Sequence, residues 1–163
     1  MSNEIVTHLF KHMSWANHKL FMQLSELPSP ALEFHGVNPE WSVANIATHI
    51  VHGQGRFIAR VQSLELSPEI DYPHTSEGMR QLAEDSLAND AKLLKLIDLP
   101  NELLSFVRRG EAVQFTTTTV LASVVHHATE HRTQIADILA FHNMDVINLD
   151  QLDQWTFANG SVK

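Results

Sequence analysis

The sequence contains no cysteine. That removes disulfides, thiolate metal ligands and a cysteine nucleophile together, so any bound metal must be held by histidine, carboxylate or water. Positive charge is scarce as well: Lys and Arg total 11 against 19 Asp and Glu, for a formal net charge of −8. A nucleic-acid binder needs a basic face to neutralise phosphates, and no Lys/Arg-rich run is present to build one. Long apolar runs are missing too. No stretch of ~18 apolar residues is available to span a bilayer, and "MSNEIVTHLFKHMSWANHKL" (1–20) reads as an amphipathic helix rather than a signal peptide. No nucleic-acid and no membrane partner are therefore expected, and a cytoplasmic location is the default.

What is present suits one ordinary domain spanning 1–163: 44% hydrophobic and 18% charged residues, with no linker, repeat or low-complexity tract. The one excess is histidine, with eleven copies. Helical periodicity dominates. Ile5, Leu9, Met13, Ala16, Leu20, Leu24 and Leu27 mark a first helix over about 3–26. The Pro-rich stretch 28–41 is a connection, and Ser42 caps a second helix running to about Leu66, with Ile46, Ile50, Gly53, Phe57, Val61 and Leu64 inward. Residues 67–76 form another loop. A third helix over about 77–97 uses Met79, Leu82, Ala83, Leu87, Ala91 and Leu94. "DLPNELLSFVRRGEAVQF" (98–115) carries a Pro break and an "RRGE" turn between β-tolerant residues, as in a small hairpin or an irregular strap. Thr116 to Thr119 offer caps for a fourth helix ending near His142, and the tail beyond carries Leu149, Leu152, Trp155 and Phe157, which suit packing back on the body. The fold class is all-α: a four-helix bundle with irregular connections and a C-terminal tail.

Which histidines share a face decides the chemistry. In "VVHHATEHRTQI" (124–135), His127 and His131 fall at i and i+4 on the stripe of Val120, Val124, Ile135 and Ile138. His126 and Glu130 fall instead with Thr119, Ser123 and Asp137, a solvent stripe. In the second helix His49 lies on the side of Ile46, Gly53 and Phe57, whereas His52 lines up with Thr48, Arg56, Ala59 and Ser63. A lone inward His is ordinarily a core residue bonded to a carbonyl. Two imidazoles buried side by side need partners for their ring nitrogens, and either the protein or a divalent cation can supply them. His8 and His12 are also i,i+4, but Trp15 and Lys19 continue their line, which reads as an outer face.

Three segments in this order resemble a known family. "SWANHKLF" (14–21) resembles the "WANE" signature near the start of DinB/YfiT-like proteins, and "ATHIVHGQGRFI" (47–58) resembles their second-helix segment. "VVHHATEHRTQI" is similar to their fourth-helix signature, with Glu130 and Thr133 departing from the usual residues on the outer face. The resemblance implies an up-down-down-up bundle, a homodimer, and a divalent metal held by His49, His127 and His131. It also implies that relatives use such a metal to activate a low-molecular-weight thiol.

Three imidazoles would leave a cation its full charge and an open position, the arrangement of a catalytic rather than a structural site, and Zn, Ni, Fe and Mn all suit such donors. Three functions are compatible with the sequence. The first is a metal-dependent transferase that joins a small thiol to an electrophilic small-molecule substrate; no inward Asp or Glu beside the His set offers a general base, and thiol ionisation on a metal needs none. If the thiol carries carboxylates, Arg56, Arg60, Arg108 or Arg109 could receive them. The second is a metal-assisted hydrolase or isomerase, which requires a carboxylate from a loop, with Asp71, Glu111, Asp150 or Asp153 as candidates. The third is a non-catalytic metal-binding stress-response protein, with its site closed by the tail at Trp155. Gln134, three residues beyond His131, either bonds a ligand or water at the site or closes the packing.

Overall fold

The computed structural model describes residues 4–161. Four long helices carry it: α1 (Glu4–Ser25), α3 (Val43–Gln62), α4 (Ser76–Leu96) and α5 (Thr117–Phe141). A one-turn helix α2 (Ser29–Leu32) lies between α1 and α3, and a hairpin, β1 (Leu103–Arg108) and β2 (Glu111–Thr116), joins α4 to α5. The tail forms a 3₁₀ turn (Leu149–Leu152) and a final helix α6 (Gln154–Ser161). Helix starts follow side-chain chemistry. The Ser42, Thr75 and Thr116 hydroxyls accept from the backbone N–H of Asn45, Gly78 and Thr119, each filling a donor that the first helical turn leaves free.

Packing pairs α1 with α4 and α3 with α5, with α3 also against α4 and a thinner seam between α1 and α5. Leu20, Phe21, Leu24, Ile46, Ile50, Met79, Leu82, Leu93, Ile135 and Leu139 fill the interior. Helices far apart in sequence thus become neighbours, and the α3–α5 seam will hold the site. The hairpin adds a two-stranded antiparallel sheet to the expected all-α architecture, closed by Arg109 and Gly110 with φ of 54° and 82°. Two consecutive left-handed residues make the turn that matches strand twist in a two-residue hairpin, and Gly110 enters that region without a side-chain penalty.

Three details depart from the periodicity. Helix α3 stops at Gln62, short of Leu66, because Ser63 turns left-handed (φ 55°) and Leu64 N–H reaches back to Ala59 O; Leu64, expected inward, is exposed. Ile5 at the head of α1 is exposed as well. The inward face of α4 continues from Leu82 and Ala83 through Ser86 and Asp90 to Leu93 and Leu96, leaving Leu87 and Ala91 outside. An apolar stripe could not trace this face, since two of its members are polar.

Those members belong to a buried polar seam. Gln54 Nε2 donates to Asp90 Oδ1 (2.7 Å) and to Ser86 Oγ (3.0 Å), and Arg132 Nη1 donates to Asn17 Oδ1 (2.7 Å). Every long helix therefore takes part, through Asn17, Gln54, Ser86 with Asp90, and Arg132. Desolvation pushes the Asp90 carboxyl up to about 7, opposed by hydrogen bonds from Ser14, Gln54 and Ser86 and by the charge of Arg132.

Candidate metal centre

Helix α3 presents His49 and helix α5 presents His127 and His131, one turn apart on its inner stripe. One ring nitrogen from each lies within 4.8 Å of the others, the only grouping of three potential metal ligands among the described residues. His49 Nε2 and His127 Nε2 face each other at 3.0 Å. His131 Nδ1 donates to Gln134 Oε1 at 2.7 Å, which places the proton on Nδ1 and leaves the Nε2 lone pair free. Gln134 therefore orients one ring of the triad.

The backbone beneath is cut to fit. A Cβ at Gly53 would stand 2.5 Å from Cε1 of His127, so the imidazole occupies the space that a side chain on α3 would fill. Aromatic rings wall the cluster on two sides. Trp41 stacks on His131 (centroids 5.5 Å, interplanar 16°) and meets His49 edge-on at 4.9 Å, while Phe57 meets His127 edge-on at 5.6 Å. Desolvation, then the neighbouring His131, pushes His49 down to about 4 and His127 down to about 3. Both are neutral at physiological pH, the state in which an imidazole offers a lone pair.

A divalent cation fits this donor set. Two half-buried ring nitrogens already face each other at 3.0 Å, close to the ~3.3 Å that tetrahedral Zn–N bonds of ~2.0–2.1 Å would give. Among the described residues no Lys or Arg ion-pairs within the cluster, and Arg56, which acts electrostatically on both His49 and His127, is tied to Glu69 through Nε and Nη2. The residues expected outside the cluster are outside it: His126 is exposed, and His52 bonds Ile70 O at 2.8 Å and lies 3.3 Å from Glu69.

The DinB family profile matches residues 1–142, from α1 through the end of α5. The chain belongs to the DinB family. No curated protein sequence matches it. The matched span contains all three histidines, Gly53 and Gln134, and leaves the tail outside.

Sequence reasoning missed Trp41 and the role of Gly53. Trp41 sits just before the α3 cap, where helical phasing does not apply. Gly53 stood on the inner stripe already, and a glycine facing an inward histidine across a helix seam was the available signal. The His8/His12 reading is corrected: His12 is buried, 7% exposed, because the tail covers it. Its Nε2 donates to Leu152 O (2.8 Å), its Nδ1 accepts from Gln154 Nε2 (3.0 Å), and Phe157 packs on its ring. Trp155 is 80% exposed on that tail, so Trp41, and not Trp155, covers the triad.

Proposed function

We propose that His49, His127 and His131 bind a divalent cation, one of Zn, Ni, Fe or Mn, and that the protein uses it to transfer a low-molecular-weight thiol to an electrophilic small molecule. The observation that carries this reading is the convergence of three imidazoles with no carboxylate among them. A cation held there supplies the positive charge that ionises a thiol placed beside it, without a separate general base. The chain's own groups prepare the site: Gln134 orients His131, Gly53 makes room for His127, and Trp41 and Phe57 lie against its rings on two sides.

Hydrolysis or isomerisation is the second reading, and none of its four carboxylate candidates joins the three histidines. Asp153 caps α6 by accepting from Thr156 N–H, Glu111 lies exposed on the hairpin, and neither Asp71 nor Asp150 joins the cluster. Homodimerisation and up-down-down-up helix direction belong to the same proposal and rest on the family resemblance, and a cytoplasmic site of action joins it as the default reading of the sequence. Among the described residues no helix is long and apolar enough to cross a membrane. The test is metal analysis of the purified protein followed by thermal shifts with small thiols. A thiol that stabilises only the metal-loaded form supports transfer. Full metal occupancy without response to any thiol would turn the assignment toward a non-catalytic metal-binding protein.

A further inference from the structure

A cavity of about 250 Å³ opens next to the triad, between the C-terminal turns of α3, the hairpin and the first turns of α5. Phe57, Phe106 and Phe115 give it an aromatic wall, and Arg60, Arg108 and Ser123 give it polar groups. Phe57 belongs to both places, since its ring also meets His127 edge-on. Arg60 lies over two of these rings, its guanidinium carbon 5.8 Å from the Phe57 centroid and 5.0 Å from that of Phe106. Neither Arg60 nor Arg108 forms an ion pair among the described residues, although Glu111 stands directly across the strand from Arg108. Burial, followed by the charges of Arg56 and Arg108, weakens the hold of Arg60 on its proton, and no acidic group offsets them. In a chain of net charge −8, Arg60 and Arg108 thus share the wall of a cavity whose lining residues include no acidic side chain.

We propose that Arg60 and Arg108, above the Phe57/Phe106/Phe115 wall, form a subsite for a carboxylate-bearing, partly apolar substrate. The proposal rests on the reading of the triad as the reacting end of the same site. Arg60 follows Gly53, the residue against His127, by seven positions, or about 10 Å along α3. A substrate reaching both ends is therefore about that long, with its anionic group remote from the reacting atoms. A guanidinium half-withdrawn from water and braced on aromatic rings suits this task, because it offers forked donors to a carboxylate while its faces stay covered. The structure also ranks the four arginines that the sequence offered. Arg56 is taken by Glu69, and Arg109, in the hairpin turn, does not line the cavity.

The experiment uses the full chain freed of metal by a chelator, with phenylacetate and its neutral amide, phenylacetamide, as calorimetric probes. Phenylacetate should bind, the amide should bind at least about tenfold more weakly, and added salt should weaken only the former. Arg60→Gln and Arg108→Gln should each lower phenylacetate affinity about tenfold with helix content unchanged, while Arg109→Gln leaves it intact. Arg108 lies on an exposed strand end, so its variant keeps the test open if Arg60→Gln perturbs the fold. Equal binding of the two probes, no binding at millimolar concentration, or indifference to both substitutions would overturn the subsite. Because the probe is read without metal and must survive His127→Ala, a failed triad and a failed subsite give different results.

Discussion

Two pairs of histidines in this chain share one spacing and meet opposite fates. His8 and His12 on α1, like His127 and His131 on α5, stand at i and i+4 beside aromatic rings. On α1 the protein completes the chemistry itself: both nitrogens of His12 are bonded to the tail, and Phe157 lies against His8 and His12. On α5 it stops short. His131 has one nitrogen fixed by Gln134, and His127 has as its partner the nitrogen of a third histidine. An i,i+4 pair becomes a site when a neighbouring element supplies another lone pair, and an anchor when it supplies carbonyls and amides.

The contrast is broken most sharply by His127→Ala, which should abolish metal binding in elemental analysis while leaving helix content unchanged. Retention of stoichiometric metal in that variant would end the distinction between the pairs. Gly53→Ala comes next. Its methyl group overlaps His127, so either the imidazole moves or α3 and α5 part, with a cost of about 1–3 kcal/mol in thermal unfolding and a loss of metal affinity. Gln134→Ala frees the ring of His131 and should weaken metal binding about tenfold without affecting the fold, as read by competition with a chromophoric chelator.

Acid supplies a subtler comparison. His49 and His127 take up protons only near 4 and 3, below the 6.5 of an unfolded chain, so the unfolded state binds more protons between those values. The metal-free protein should thus lose stability as pH falls below about 6.5. With His49 and His127 already neutral, metal binding should displace no proton from either of them above about pH 5, and affinity should fall more steeply below that. Metal titrations across this range check the slope. A drop through the ordinary imidazole range with a slope of three protons would show the triad to be far more solvated than it is here. The smallest effect belongs to His12→Ala, which should cost about 1–2 kcal/mol and loosen the tail to hydrogen exchange while metal content stays unchanged.

The long helices and the triad were legible because both obey a 3.6-residue period: His49, His127 and His131 each sat on a stripe that the rest of its helix defined. Caps at Ser42 and Thr116 were legible for the same local reason. The rest depended on contacts between distant segments. Ser86 and Asp90 hid the inner face of α4 because their partner, Gln54, lies on another helix. His12 looked solvent-facing because the residues that cover it come 140 positions later. Trp41 acts from a loop, where side-chain direction follows from the fold and not from sequence spacing.

The seam of Asn17, Gln54, Asp90 and Arg132 has a bearing on how four rods nest at all. Leucines tolerate sliding by a turn at small loss, whereas a carboxylate and a guanidinium shifted by 5 or 6 Å in a dry interior lose their partners outright. Arg132 directly follows His131, and Gln54 directly follows Gly53. The polar lock and the cation cradle therefore share the same two stretches of backbone, so the alignment that satisfies one sets the aim of the other.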